Sequence, residues 1–224
     1  MADLRQYNLI VVQERLRDQV TDVLRAAIGS GELLPGTVYS APTLAAEMGV
    51  SATPVRDAML TLAREGLVEP VRNKGFRITE VSDRDLDEFL ELRELIEVPT
   101  TVRVARTAAA ERLAELRPLA EEIVAAARRH DLVGYLDADR RFHLDLLAMA
   151  GNERLVEVVG DLRKRSRLFG LAELDRTGRL IASAEEHLEL LDLMIAGDTA
   201  GTERCIRRHL GHVRSLWAGR PEER

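Results

Sequence analysis

The chain has 224 residues, 46% of them hydrophobic and 31% charged, with a formal net charge of −6. This allows one large domain or two small ones with a packed core, and it argues against nucleic-acid binding by bulk charge. No apolar run reaches the ~20 residues that span a bilayer and no signal-peptide pattern opens the chain; a single cysteine, Cys205, excludes an internal disulfide and suits a reducing cytoplasm.

A first helix is expected at about 13–29, ended by Gly29-Ser30-Gly31. The run from Leu44 to Phe76 then reads as helix, tight turn, second helix and hairpin. Gly49 marks the turn, and Ser51 stands where an N-cap accepts an amide proton from the following helix. Pro54 falls in the first turn, where its missing N–H is harmless. Val55, Met59 and Leu62 recur at helical spacing and give one apolar face. Thr53 and Arg56 lie on the opposite face, near the helix start, from which side chains reach base edges in a major groove.

A helix-turn-helix shape also occurs as a plain packing unit, and the next segment turns the balance. Val68–Val71 and Phe76–Thr79 have strand composition and are joined by Arg72-Asn73-Lys74-Gly75, in which Asn and Gly supply the positive φ of a tight hairpin. With Arg77, this wing has three cations and no acid between residues 70 and 79, a composition suited to a phosphate backbone. Residues 1–80 as a whole hold nine Lys+Arg against ten Asp+Glu, so DNA affinity must come from these local patches.

A boundary falls near residues 79–82. Ser82 with Asp85 resembles a capping box, and from there to Trp217 the periodicity is helical throughout. Helices are expected at about 83–97, 99–108, 110–129, 134–150, 153–171, 177–196 and 199–218, with Pro99 and Pro118 each at a start, kink or stop. The fold expected is mainly α: a winged helix-turn-helix of three helices and a β-hairpin over residues 9–80, then an all-α bundle over 82–218.

Five histidines occur, at 130, 143, 187, 209 and 212. Asp139 and His143 are four apart on one helix and project from one face, while His187 and His209 belong to two later helices. One carboxylate and three imidazoles converging in a bundle core suit a divalent transition metal: zinc first, with nickel, manganese or iron as alternatives. Taken singly, each histidine is equally an ordinary helical residue. Arg93, on an otherwise apolar helix face, either snorkels to solvent or meets a buried anion. The arginines between 163 and 179 are expected on a solvated face, and His212 at the surface or behind the cluster.

Residues 16–80 resemble the DNA-binding domain of GntR-type bacterial transcription regulators. The resemblance is carried by Leu33-Pro35-Gly36, Leu44-Ala45, Gly49-Val50-Ser51, Thr53-Pro54-Val55-Arg56, Asp57-Ala58-Met59, Glu65-Gly66-Leu67-Val68 and Gly75. It implies DNA contacts by Ser51, Thr53 and Arg56 from the reading helix and by Arg72, Lys74 and Gly75 from the wing. Ala52 departs from the family's usual arginine, and Ala41-Pro42 from a more polar pair, so Arg56 carries more of the readout.

Residues 83–217 are similar to the FCD effector domain of the FadR-type branch. The matches are Leu92-Arg93 with Glu97, Asp139-Arg140-Arg141-Phe142-His143, Gly151-Asn152, Glu186-His187, Gly197-Asp198 and His209-Leu210. This implies Asp139, His143, His187 and His209 as metal ligands, and Arg93 and Asn152 beside a small carboxylate effector, with Glu97 orienting Arg93. It also implies a homodimer on a palindromic double-stranded operator and repression relieved by the effector. Three alternatives compete: a metal-dependent enzyme with an N-terminal interaction module, a ferritin-like di-iron bundle, and an architectural DNA binder. The first lacks a further carboxylate for acid–base work, the second lacks paired Glu-x-x-His motifs, and the third leaves the Asp and His residues unexplained.

Overall fold

In the computed structural model of the protein the backbone is described over residues 5–80, 82–166 and 171–217, and the side chains over the same residues except 5–15, 30, 83, 165–166, 172–173 and 212–217. The chain divides into two units, Met1–Glu80 and Val81–Arg224.

Unit 1 runs α1 (Arg5–Ser30), β1 (Val38–Tyr39), α2 (Ala41–Met48), α3 (Ala52–Arg64), β2 (Val68–Val71) and β3 (Gly75–Ile78). Helix α1 therefore starts earlier than its periodicity suggests. Helix α2 opens on Ser40, whose hydroxyl accepts from the Thr43 amide, and closes on Gly49 in the left-handed region at φ 66°. Ser51 does occupy the N-cap of α3, but its side chain makes no cap hydrogen bond, contrary to expectation. Val55, Met59 and Leu62 are completely buried, packed with Val20, Leu24 and Ile28 among the core residues of this unit. Burying each such side chain stabilises the fold by about 1.5–3 kcal/mol. Arg25 of α1 also pairs with Glu65, just past α3, at 3.0 Å.

The wing is a three-stranded antiparallel sheet in the order β1-β3-β2. Asn73 takes the positive φ (59°) at the hairpin tip. Gly75 has φ 133°, and a Cβ there would lie 2.2 Å from the Tyr39 carbonyl oxygen. Only glycine lets β1 pair so closely with β3.

Unit 2 is all helical among the described residues: α4 (Asp83–Thr107), α5 (Ala110–Ala114), α6 (Arg117–Arg128), α7 (Leu132–Ala148), α8 (Glu153–Ser166), α9 (Leu171–Arg176), α10 (Arg179–Ile195) and α11 (Thr199–Trp217). The Ser82–Asp85 capping box is present in both directions, at 3.1 and 2.9 Å. Three expectations are corrected. Helix α4 continues through Pro99, which removes one N–H from an exposed face rather than ending the helix. The segment expected at 110–129 breaks at Glu115-Leu116, and Pro118 sits in the first turn of α6. The separate helix α9 follows α8; the residues between them, 167–170, lie outside the described ones. Phe142, Leu146, Ile123, Leu180, Leu191 and Ile206 are among the fully buried residues of the core.

Candidate functional site

The i, i+4 spacing on α7 brings Asp139 and His143 onto the buried face of that helix, and α10 and α11 supply His187 and His209. One ligand atom of each residue lies within 4.8 Å of those of the other three, and all four residues are buried. Nε2 of His187 is 3.0 Å from Nε2 of His143 and 3.0 Å from Oδ1 of Asp139. Phe142 closes over two of the rings edge-on, at 5.3 Å from His143 and 5.2 Å from His187.

Hydrogen bonds behind the rings decide which nitrogen faces inward. His187 Nδ1 donates to the Ala184 carbonyl at 3.0 Å, and His209 Nδ1 donates to Glu186 Oε2 at 2.9 Å. Both partners only accept, so Nδ1 carries the proton and, in the neutral imidazole, Nε2 faces the cluster with its lone pair. With His187 neutral, its Nε2 and Asp139 Oδ1, 3.0 Å apart, are two acceptors in contact, an arrangement relieved by a proton or a cation between them. A proton is disfavoured on neighbouring His143. Burial, reinforced by Arg163, His187, His209 and Arg93, holds that imidazole well below the ordinary histidine value. Neutral imidazoles and a carboxylate are the donor forms a divalent transition metal requires, so the residues fit such an ion.

Beside the donors runs a buried chain of charges. Arg93 Nε donates to Glu97 Oε1 at 2.7 Å. Arg163 of α8 holds the other oxygen of Glu97 through both Nε and Nη2, and its Nη1 reaches Asp139 Oδ2 at 3.4 Å. All four side chains are at most 1% exposed. Burial alone would raise the Glu97 carboxyl, but the two guanidiniums outweigh it and hold it down at about 2. Burial lowers Arg93 to about 10, with Arg163 acting in the same direction, and Arg93 stays a cation at neutral pH.

Sequence reasoning missed two of these residues. Arg163 was expected at the surface, yet it follows Val156 and Val159 at i+7 and i+4, a spacing that marks it for the inner face of α8. Glu186 drew notice only as part of a motif; it is buried, holding His209 with one oxygen and Arg208 Nε with the other at 3.1 Å. Asn152 is not brought to the cluster. It is exposed and caps α8, accepting from the Leu155 amide at 3.1 Å. His130 is likewise apart, exposed and 2.9 Å from Asp175, and the side chain of His212 lies outside the described residues. Cys205 is buried, with its thiol pushed up to about 12 chiefly by burial, which suits packing rather than reactivity.

In unit 1, Ser51, Thr53 and Arg56 are all exposed along the start of α3, and Arg72, Asn73 and Lys74 are exposed at the wing tip. Arg77 lies opposite Glu69 in the strand register, so the positive charge of the wing concentrates at Arg72 and Lys74. No described helix is long and apolar enough to cross a membrane.

Comparison with known proteins accounts for both units. Residues 16–78 match the gntR family of bacterial regulatory proteins, and residues 88–212 match the FCD domain. The chain is 30% identical over 194 residues to an uncharacterized HTH-type transcriptional regulator in unstable DNA locus of Streptomyces ambofaciens, covering 85% of this chain and 80% of that one. It is 28% identical to the "Probable D-xylose utilization operon transcriptional repressor" of Paenarthrobacter nicotinovorans, with 86% and 84% coverage. Its fold is similar to the solved structure of McbR/YncC from E. coli, with a TM-score of 0.70, 26% identity, and coverage of 91% of this chain and 97% of that one. The family and these relatives are transcriptional regulators rather than enzymes, which decides against a metalloenzyme built on the same donors. The chain belongs to the GntR family of bacterial transcriptional regulators, with a GntR helix-turn-helix domain followed by an FCD domain.

Proposed function

We propose that this protein is a cytoplasmic, homodimeric repressor that releases a palindromic operator when a small carboxylate binds beside a divalent metal in unit 2. The observation that carries this reading is the buried Asp139, His143, His187 and His209 set, adjoined by Arg93, Glu97 and Arg163, within a GntR–FCD chain. Asp139, His143, His187 and His209 would hold the ion, with zinc the first choice for this donor set. When bound, such an ion supplies a fixed positive centre able to accept a carboxylate oxygen. Arg93 supplies a second cationic group for the anion, and Glu97 and Arg163 orient it and Asp139. Asn152 serves as a helix cap in this reading and has no contact with the effector.

Ser51, Thr53 and Arg56 enter the major groove, while Arg72 and Lys74 lie on the phosphate backbone with Gly75 setting the turn. The effector acts by binding the two arrangements of the regulator unequally, which shifts the population that fits the operator. The named repressor among the relatives supports the direction chosen.

Metal analysis of protein purified without a histidine tag tests the reading. Near-stoichiometric metal is expected in the wild type and in Arg56→Ala, and much less in His187→Ala. An unchanged metal content in His187→Ala would show that the ligand assignment is wrong.

A further inference from the structure

Arg163 is a cation set against a metal donor, a poor place for it if affinity for a metal were all that mattered. Helix α8 supplies none of the four donors, yet it packs on both α4 and α7 and sends this side chain, 1% exposed, to a carboxylate on each. The buried charges of Arg93, Glu97, Arg163 and Asp139 already cancel, and Glu186 has its own cation in Arg208. The guanidinium therefore repels an incoming divalent ion, with no surplus anion to offset it.

What Arg163 does control is the direction of Asp139. Oδ1 is turned to the histidines, 3.0 Å from Nε2 of His187 and 3.8 Å from Nε2 of His143, while Oδ2 faces Arg163 Nη1 at 3.4 Å. The guanidinium is itself fixed, because its Nε and Nη2 rest on Oε2 of Glu97 and Arg93 holds Oε1 of that same carboxylate. Its planar fork presents different nitrogens to the two carboxylates. A lysine, with one nitrogen, cannot reproduce that pair of contacts.

We propose that Arg163 is the positioning residue that selects the ion. Holding Asp139 Oδ2 off the cluster limits the donors to one carboxylate oxygen and three imidazole nitrogens, a set that favours zinc over manganese and other oxygen-seeking ions. Released from Arg163, Asp139 can offer both oxygens, and the preference shifts toward manganese. The inference rests on the metal-binding part of the regulator reading and goes beyond it, assigning selection to a residue that donates nothing to the ion.

Competition of zinc and manganese against a chromophoric chelator, on the full metal-free chain, gives the ratio of the two affinities. Effects of charge and of fold stability are shared by two divalent ions and cancel in that ratio. Arg163→Lys keeps the charge and Arg163→Met removes it; each should lower the zinc-to-manganese ratio about tenfold, the lower end of what outer partners of metal ligands contribute. An unchanged ratio in the folded variants would overturn the inference while the regulator reading stands, and a wild type that binds neither ion would overturn both. If neither variant folds, infrared difference spectra of zinc-loaded against metal-free wild type, labelled with 13C-aspartate, decide instead. The carboxylate pattern of binding through a single oxygen is expected, and that of binding through both oxygens would overturn the inference.

Discussion

The proposed reading face of α3 and the proposed metal-binding cluster of unit 2 are built by opposite means. Ser51, Thr53 and Arg56 are exposed, and their positions are set by the buried side of the same helix, where Val55, Met59 and Leu62 anchor it. The donors of unit 2 are buried and positioned by other polar groups: Ala184 and Glu186 behind two histidines, Arg163 behind Asp139, and Glu97 between two arginines. A surface that must meet DNA keeps its charges in water, where removing one leaves its neighbours solvated. A buried network has no such reserve, because every partner removed strands another charge.

The largest effect should therefore come from breaking that network. Glu97→Ala leaves Arg93 and Arg163 together in the interior and should cost about 3–5 kcal/mol in urea unfolding. A loss below about 1 kcal/mol would mean that water reaches the pair. On the exposed side, Arg56→Ala should weaken operator binding by about 1–3 kcal/mol, read by fluorescence anisotropy. Its effect on stability should stay within about 0.5 kcal/mol. If the two substitutions cost the same in stability, the contrast between the regions fails.

Acidification probes the buried side alone. The pKa of His143 is lowered in the fold, so the unfolded chain takes up the proton first, near its ordinary value of about 6.5. The stability this group contributes is complete above about pH 6.5 and declines below it, by at most about 1.4 kcal/mol per pH unit. Metal affinity should fall over the same range, as protons compete for the imidazoles. Urea midpoints between pH 7 and 5 measure the first effect, and a midpoint that rises on acidification would contradict it. The smallest effect is expected at the wing. Lys74→Ala should reduce the slope of log affinity against log salt by about 0.9, nearly independently of operator sequence.

How much of this was legible in the sequence follows the range of each interaction. Local signals read well: the 55, 59, 62 spacing of α3, the Asn-Lys-Gly hairpin tip, the Ser82–Asp85 box, and the i, i+4 placement of Asp139 and His143. Strand β1 escaped because its two residues are held by pairing with β3, almost forty positions away. Pro99 does not end α4, as its type alone suggests, because proline's cost depends on what surrounds the helix, and α4 is fixed by packing on both sides of it. The residue type of Arg163 points to solvent, while its spacing points inward. Only the carboxylates of Glu97 and Asp139, supplied by two other helices, make that burial tolerable.

In the proposed regulator the buried network reports a carboxylate to the exposed reading face. The most direct test is the affinity of metal-loaded protein for DNA that it has itself selected from random sequence, titrated with a panel of small carboxylates. One acid is expected to weaken binding of the wild type at least about tenfold, the usual size of a coupling between sites, and to leave His187→Ala on the same DNA unaffected. Equal release of the wild type and His187→Ala, or no release by any acid, would contradict the account.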